Sequence, residues 1–306
     1  MRNAVLAACM ALTSIHVGAA GSELDAKVWN HGSADCSSNR DPPIEVFRFD
    51  AATYILRQNK CLNFEAPFIY VLIGERQVFV QDTGATDDPA KFPLYEVIQG
   101  LIASPVRRSL LVTHSHSHGD HTAADAQFRG KPGVTLIEPE AESVRDYFGF
   151  KQWPAAATTL DLGGRSLVII PIPGHQDESI AVYDSHTGWL LTGDTVYPGN
   201  LYVRDWQEYR ASIRRLAEFS RSQRISAVMG THVELSRAGA LFPVGSTFQP
   251  DEAPLPLSAA DLLRLDEKLQ QVGERPAVVS MEKFTVTPLS RLQRVISSVA
   301  KWFGIR

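Results

Sequence analysis

An apolar run followed at once by a dense set of imidazoles constrains this chain more than any other feature. In 110-LLVTHSHSHGDHTAAD-125, the residues His114, His116, His118, Asp120 and His121 fall within eight positions. The preceding 109-SLLVT-113 has the aliphatic, β-branched character of a buried strand. A strand that ends in four histidines delivers them to a loop at a sheet edge, where α/β proteins carry their chemistry. His116 and His118 alternate, so both side chains can point one way. Asp120 and His121 open a helix and can face a second centre. Neutral imidazole and carboxylate are ligand types that borderline divalent cations such as zinc prefer. A lone histidine is usually a satisfied core or surface residue. Four in eight, out of nine in the whole chain, are not explained that way.

A pair of metals needs further ligands from elsewhere in the chain. Three candidates share one local grammar, an apolar strand and a glycine followed by a ligand type. His175 follows 169-IIPIPG-174, Asp194 follows 189-WLLTG-193 and His232 follows 226-SAVMGT-231. His116, His118 and His175 suffice for one ion. Asp120, His121 and His232 suffice for a second, and Asp194 can bridge both through its two oxygens.

The rest of the chain reads as alternating strands and helices. The runs 44-IEVFRF-49, 53-TYILRQ-58, 68-FIYVLIG-74 and 77-QVFVQ-81 predict strands, the last two forming a hairpin through Gly74-Glu75-Arg76. Leu94, Val97, Ile98 and Leu101 recur at helical spacing. Further strands are predicted over 134–138, 165–171, 179–184, 188–193 and 225–230. Helices are predicted from near His121 and over 139–147, 205–222 and 258–271, with 250–258 as a loop. Such alternation with hairpins mixed in argues for a layered α/β fold with mixed sheets. At 306 residues, 44% hydrophobic and 21% charged, the chain can bury a large core. Its net charge of −4 gives no basic excess of the kind nucleic-acid partners select.

The two ends differ in character. Arg2, the short apolar run 4–11 and 18-GAA-20 predict a cleaved signal peptide over residues 1–20, hence a periplasmic or secreted protein. Residues 21–43 read as an irregular N-terminal segment, and 44–306 as the main domain with a C-terminal helical extension. Beyond the signal no apolar run is long enough to span a membrane. Cys36 and Cys61 form either one disulfide or two free thiols. Leu289, Leu292, Val295, Ile296, Val299 and Phe303 share one helical face. That face fits docking on the domain or on a homodimer partner, or a membrane-surface helix.

The string His116-x-His118-x-Asp120-His121, followed in order by 173-PGH-175, 193-GD-194 and 231-TH-232, resembles the metallo-β-lactamase superfamily. The resemblance runs over about residues 65–235 and includes the 82-DTG-84 break after the early hairpin. It implies a four-layer αββα sandwich of two mixed β-sheets with helices outside and metals at one edge. Zinc β-lactamases usually carry Cys or Ser where Asp194 falls. An aspartate there resembles the glyoxalase II, lactonase and phosphodiesterase branches instead. His114 lies outside the family pattern.

The implied function is an exported hydrolase with two divalent ions, zinc by preference. A hydroxide held between them would attack an ester, lactone or amide carbonyl of a small-molecule substrate. Asp120 is the candidate catalytic carboxylate and Tyr197 a candidate donor to the developing oxyanion. The segment 147-YFGFKQWP-154, with Tyr202 and Trp206, is a candidate pocket wall. Two alternatives are a persulfide-dioxygenase-like enzyme with one iron on His116, His118, His175 and Asp194, and a non-catalytic exported protein that binds metal or a partner.

Overall fold

The computed structural model describes residues 23–102, 107–290 and 292–293. The expected signal peptide and all but a few residues of the expected C-terminal helix lie outside the described residues. Among the described residues no helix is long and apolar enough to cross a membrane.

Two six-stranded sheets form the middle of the molecule. The first holds, in spatial order, β1 (Ile44–Asp50), β2 (Thr53–Gln58), β3 (Phe68–Ile73), β4 (Gln77–Gln81), β5 (Ser109–Thr113) and β6 (Val134–Leu136). Pairing is antiparallel from β1 to β4 and parallel from β4 to β6, so the sheet is mixed. Between β4 and β5 lies α1 (Leu94–Leu101), and after β5 the single turn α2 (Gly119–Thr122). Helix α3 (Ala141–Phe148) leads to the second sheet.

That sheet contains β7 (Thr158–Asp161), β8 (Ser166–Pro171), β9 (Ile180–Asp184) and β10 (Trp189–Gly193). Next in sequence come β11 (Gly199–Val203), α4 (Trp206–Ser222), β12 (Ala227–Gly230), β13 (Pro256–Leu257) and α5 (Ala259–Val272). The second sheet's spatial order is β13-β12-β10-β9-β8-β7, with β10 and β12 parallel and the other pairs antiparallel. A small third sheet joins β11 to β15 (Phe284–Pro288) and β14 (Val279–Ser280).

The period of two along each strand sets the layering. Ile55, Tyr70, Phe79 and Leu111 point from the first sheet into a core shared with Ile169, Val182, Leu191 and Met229 of the second. Their neighbours Leu56, Val71, Val80 and Val112 point the other way, onto Leu94 and Ile98 of α1. On the second sheet's far face Ile170, Leu190 and Val228 pack with Ile213 and Leu216 of α4 and with Leu265 of α5. Each such fully buried aliphatic side chain contributes about 1.5–3 kcal/mol relative to exposure. The result is the four-layer αββα sandwich that the sequence predicts.

Local signals fix the helix ends. Asp205 caps α4 by accepting from the Glu208 amide at 3.0 Å, and Ser258 with Asp261 closes a capping box on α5. The segment before β1 is docked rather than loose. Trp29 is buried edge-on against Phe47 and Phe68, with ring centroids 5.6 and 4.8 Å away. Cys36 and Cys61 are joined in a disulfide, their Cα atoms 5.2 Å apart.

The structure departs from the sequence reading at five places. The helix expected from His121 is the four-residue α2 followed by a 3-10 turn over Asp125–Gln127. The stretch after Asp194 carries β11, and the expected loop 250–258 contains the two-residue β13. The two-residue β13 is too short for periodicity to reveal. The aromatic segment 147–154 does not overhang the site, because Phe148, Phe150 and Trp153 pack on the inter-sheet core. Trp206 is buried on the far side of the second sheet, its Nε1 donating to the Gly273 carbonyl at 3.0 Å.

Candidate metal centre

Four strands end at one edge of the sandwich, and each is followed by ligand-type residues. His116, His118, Asp120 and His121 follow β5, His175 follows β8, Asp194 follows β10 and His232 follows β12. These seven side chains form two four-membered sets, one of His116, His118, His175 and Asp194, the other of Asp120, His121, Asp194 and His232. Within each set one donor atom per residue lies within 4.8 Å of all the others. Gly193 makes the approach of β10 to the histidine loop feasible. Its φ is +53°, and a Cβ there would fall 2.6 Å from Ser115 Cβ.

In the first set, His116 Nε2 lies 2.9 Å from His118 Nδ1, and His175 Nε2 lies 3.2 Å from each of them. Asp194 Oδ2 is 3.7 Å from both His116 Nε2 and His175 Nε2. In the second, Asp120 Oδ2 is 3.1 Å from His121 Nε2 and 3.2 Å from His232 Nε2. Asp194 Oδ1 is 3.5 and 3.4 Å from the same two nitrogens. Ligands about 2.0–2.2 Å from a tetrahedral cation stand roughly 3.3–3.6 Å apart, so both sets have the span of a filled coordination shell. Asp194 gives one oxygen to each.

Contacts on their outer nitrogens orient the imidazoles. His175 Nδ1 donates to the Tyr202 carbonyl at 2.8 Å and His232 Nδ1 to the Glu65 carbonyl at 3.1 Å. His121 Nδ1 lies 3.1 Å from Asp82 Oδ2, and His116 Nδ1 lies 3.1 Å from Ser115 Oγ. His118 presents Nδ1 and turns Nε2 to the Gln176 amide, 2.6 Å away. The Nδ1 contacts of His116, His121, His175 and His232 turn Nε2 toward the centre. His121 Nε2 is buried and faces the Asp120 and Asp194 carboxylates at 3.1 and 3.5 Å, without a well-directed hydrogen bond, a place that a cation would satisfy. The residues present therefore fit a divalent metal on donor type and spacing.

Electrostatics divide the two sets. Burial, reinforced by the neighbouring His121 charge, holds His116 well below the usual imidazole range. Burial and His175 bring His118 down to about 3. Both are neutral ligands near pH 7. In the second set burial again disfavours charge, but the carboxylates of Asp120 and Asp194 outweigh it. They push His121 well up and His232 to about 9. Asp120 and Asp194, though buried, are in turn held ionised by the facing imidazoles.

His121 and His232, both held protonated by the facing carboxylates, must surrender their Nε2 protons to a cation, so zinc binding at pH 7 is expected to release more than one proton at this set. Affinity should rise with pH up to about 9, where His232 is half deprotonated without metal. Calorimetric titration in two buffers of different ionisation enthalpy reads the proton count, and buffer-independent heats would contradict it.

Two residues near the cluster have other partners. His114 is buried, with Nε2 2.8 Å from Asp125 Oδ1, which also accepts from Thr83 Oγ1 at 2.8 Å. It braces the loop and joins neither set. Tyr197 lines the cavity, but its hydroxyl proton is directed to the Asn200 carbonyl at 2.6 Å, with Glu234 Oε2 at 3.2 Å. Burial and Glu234 raise its pKa well above the usual phenol value. A role toward an oxyanion would require that hydrogen bond to be released. Tyr197→Phe is therefore expected to change kcat by no more than about threefold, and a loss of about 10²-fold would assign the hydroxyl to the chemistry.

Sequence reasoning missed the residues around the ligands. Asp82 is buried at φ 72°, its Oδ1 accepting from the Ser115 amide at 2.6 Å and its Oδ2 from Ser115 Oγ at 3.0 Å. With its contact to His121, this one carboxylate shapes the whole histidine loop. Its signal was the 82-DTG-84 break, which ends β4 beside β5 with Gln81 paired to Thr113. Above the ligands opens a cavity of about 310 Å³. Lys60, Glu65, Tyr202, Glu234 and Gln249 line it, together with an apolar rim that includes Phe64 and Val244.

Fold and donor sets together define an αββα metal-binding protein whose centre opens on a substrate-sized cavity. The sequence profile of the Metallo-beta-lactamase superfamily matches residues 62–232, more than half of the sequence, and the chain belongs to that superfamily. An acyl-coenzyme A thioesterase of Homo sapiens is 27% identical over 221 residues, covering 59% of this chain and 77% of that protein. A hydroxyacylglutathione hydrolase of Rhizobium meliloti (strain 1021) is 25% identical over 210 residues, covering 66% and 75% respectively. Among solved structures, a metallo-beta-lactamase from Pontibacter korlensis is 20% identical. The match covers 74% of this chain and 99% of that one, with a TM-score of 0.49. The two sequence relatives are hydrolases by name.

Proposed function

We propose that this chain is an exported hydrolase with two divalent ions, zinc by preference, that cleaves an ester, thioester, lactone or amide carbonyl in a small molecule. The observation that carries the proposal is Asp194, whose two oxygens face two complete His/Asp sets at the floor of one cavity. The names of the two sequence relatives, which record hydrolysis of an acyl-coenzyme A and of hydroxyacylglutathione, support acyl transfer to water. The Cys36–Cys61 disulfide supports export to an oxidising compartment.

Cations held by the two sets supply a Lewis acid for the carbonyl oxygen and lower the pKa of water toward about 7. The chain supplies the rest. His116 and His118 stay neutral and, with His175, fix one side of the centre. Asp120, held ionised and partly open to the cavity, offers a carboxylate oxygen that can orient the attacking water and accept its proton. The cavity wall then positions the acyl group.

The test is elemental analysis of protein from its native compartment, combined with hydrolysis assays on esters, thioesters, lactones, β-lactams and phosphodiesters. About two zinc ions per chain and turnover of an acyl substrate are expected. One iron per chain, with the second set dispensable, would favour the persulfide-dioxygenase-like alternative. Full metal content without turnover of any acyl substrate would reject the hydrolase reading.

A further inference from the structure

The strongest unassigned feature of the cavity is a buried ammonium that, among the described residues, is in direct contact with no carboxylate. Lys60 is 3% exposed and lines the cavity that holds the ligands. Its ammonium has three donors, yet its hydrogen bond is to the Phe64 carbonyl at 3.1 Å. Among the described residues it makes no ion pair. Of the acids in its neighbourhood, Glu252 is engaged by both terminal nitrogens of Arg57, and Glu65 and Glu234 act on it more weakly without forming an ion pair. Burying an ammonium on one neutral acceptor is costly unless something else completes its shell. In keeping with that cost, burial and the nearby Arg57 charge bring Lys60 down to about 8, still largely protonated at pH 7. Gln249 lines the same cavity, is 5% exposed, and keeps a buried Oε1 with no hydrogen-bond partner.

The wall that carries these groups is built from three chain segments. Gly32 sits at φ +75°, where a Cβ would lie 2.0 Å from the Thr247 carbonyl oxygen and 2.8 Å from Lys60 Cβ. The Ser33 amide donates to the Thr247 carbonyl at 2.9 Å. The disulfide through Cys61 anchors the residue next to Lys60.

We propose that Lys60 is a specificity-determining subsite that binds a carboxylate on the acyl portion of the substrate, away from the scissile carbonyl. This rests on the hydrolase reading above and names the substrate class more narrowly. One ammonium with donors to spare matches a carboxylate monoanion. A phosphate would need more donors, and the Glu65 and Glu234 carboxyls on the same wall oppose a second negative charge.

The experiment uses the zinc-loaded full chain with p-nitrophenyl hemisuccinate, hemiglutarate and hemiadipate, each beside its neutral methyl ester. Lys60→Met is expected to raise KM for the best hemi-ester at least about tenfold, with kcat within about threefold and the neutral esters within about twofold. Lys60→Arg should retain part of the discrimination, and zinc content should stay at the wild-type level in both. Equal losses on charged and neutral esters, or no change on either, would overturn the subsite.

Should Lys60→Met not fold, Lys60→Gln keeps a polar head at the Phe64 carbonyl and takes its place. Should no ester be turned over, the hydrolase reading fails but the subsite is still judged by calorimetry with monomethyl glutarate. Binding at least about tenfold tighter to wild type than to Lys60→Met supports it, and equal affinity rejects it.

Discussion

Asp194→Asn is expected to lower kcat by on the order of 10³-fold and to reduce the metal content from two ions to at most one. The reason is geometric. Oδ2 faces His116 and His175 at 3.7 Å, and Oδ1 faces His121 and His232 at 3.5 and 3.4 Å. An amide keeps one oxygen and turns an NH2 donor toward the other set, so whichever way it sits one cation meets N–H groups. The shape of the side chain is unchanged, so folding should survive, and near-UV circular dichroism can verify that. Metal analysis and single-substrate kinetics on the same preparation decide the matter. Two bound ions with kcat within about tenfold of wild type would remove Asp194 from its bridging role.

Asp82→Ala should be nearly as damaging while touching no metal. It strips the acceptor from the Ser115 amide, from Ser115 Oγ and from His121 Nδ1 at once. Losing the partner that orients a ligating imidazole typically costs about 10–100-fold in metal affinity. Buried donors left without an acceptor cost about 1–3 kcal/mol each, so the apparent melting temperature should fall as well. Asp82→Asn separates the two effects. Asparagine tolerates the left-handed backbone at φ 72° and keeps one acceptor oxygen, so it should fold better yet bind metal more weakly than wild type. Competition against a chromophoric chelator measures the affinities, and unchanged zinc binding in both variants would show that His121 needs no such support.

The layered fold and the seven positions that converge at one sheet edge were legible because both are written in local sequence. Leu110, Leu111 and Val112 alternate between two cores, and the polar residues begin where the strand runs out. Asp194 and His232 repeat that arrangement at β10 and β12, which are parallel neighbours with Gly193 opposite Gly230. The supporting residues were not legible, because their partners are remote in sequence. Asp82 acts across 39 residues to reach His121, and Glu65 reaches His232 across 167 through a carbonyl that any residue would possess. Lys60 and Gln249 share a wall only because the segment around Gly32 packs between their loops. Trp206 shows the converse error. Its proximity to Asp194 in sequence suggested a pocket, but β11 carries the chain to the other side of the sheet.

The covalent tie between Cys36 and Cys61 encloses β1 and β2, the outermost pair of the first sheet. An outer strand with unpaired backbone groups is an invitation for another molecule to add on. Here the roots of the hairpin are stapled together, so a strand that frays stays beside its own partner and re-anneals before a stranger can pair with it. The disulfide thus gives the sheet a safeguard against edge-to-edge fibre growth, one that reducing agents would switch off.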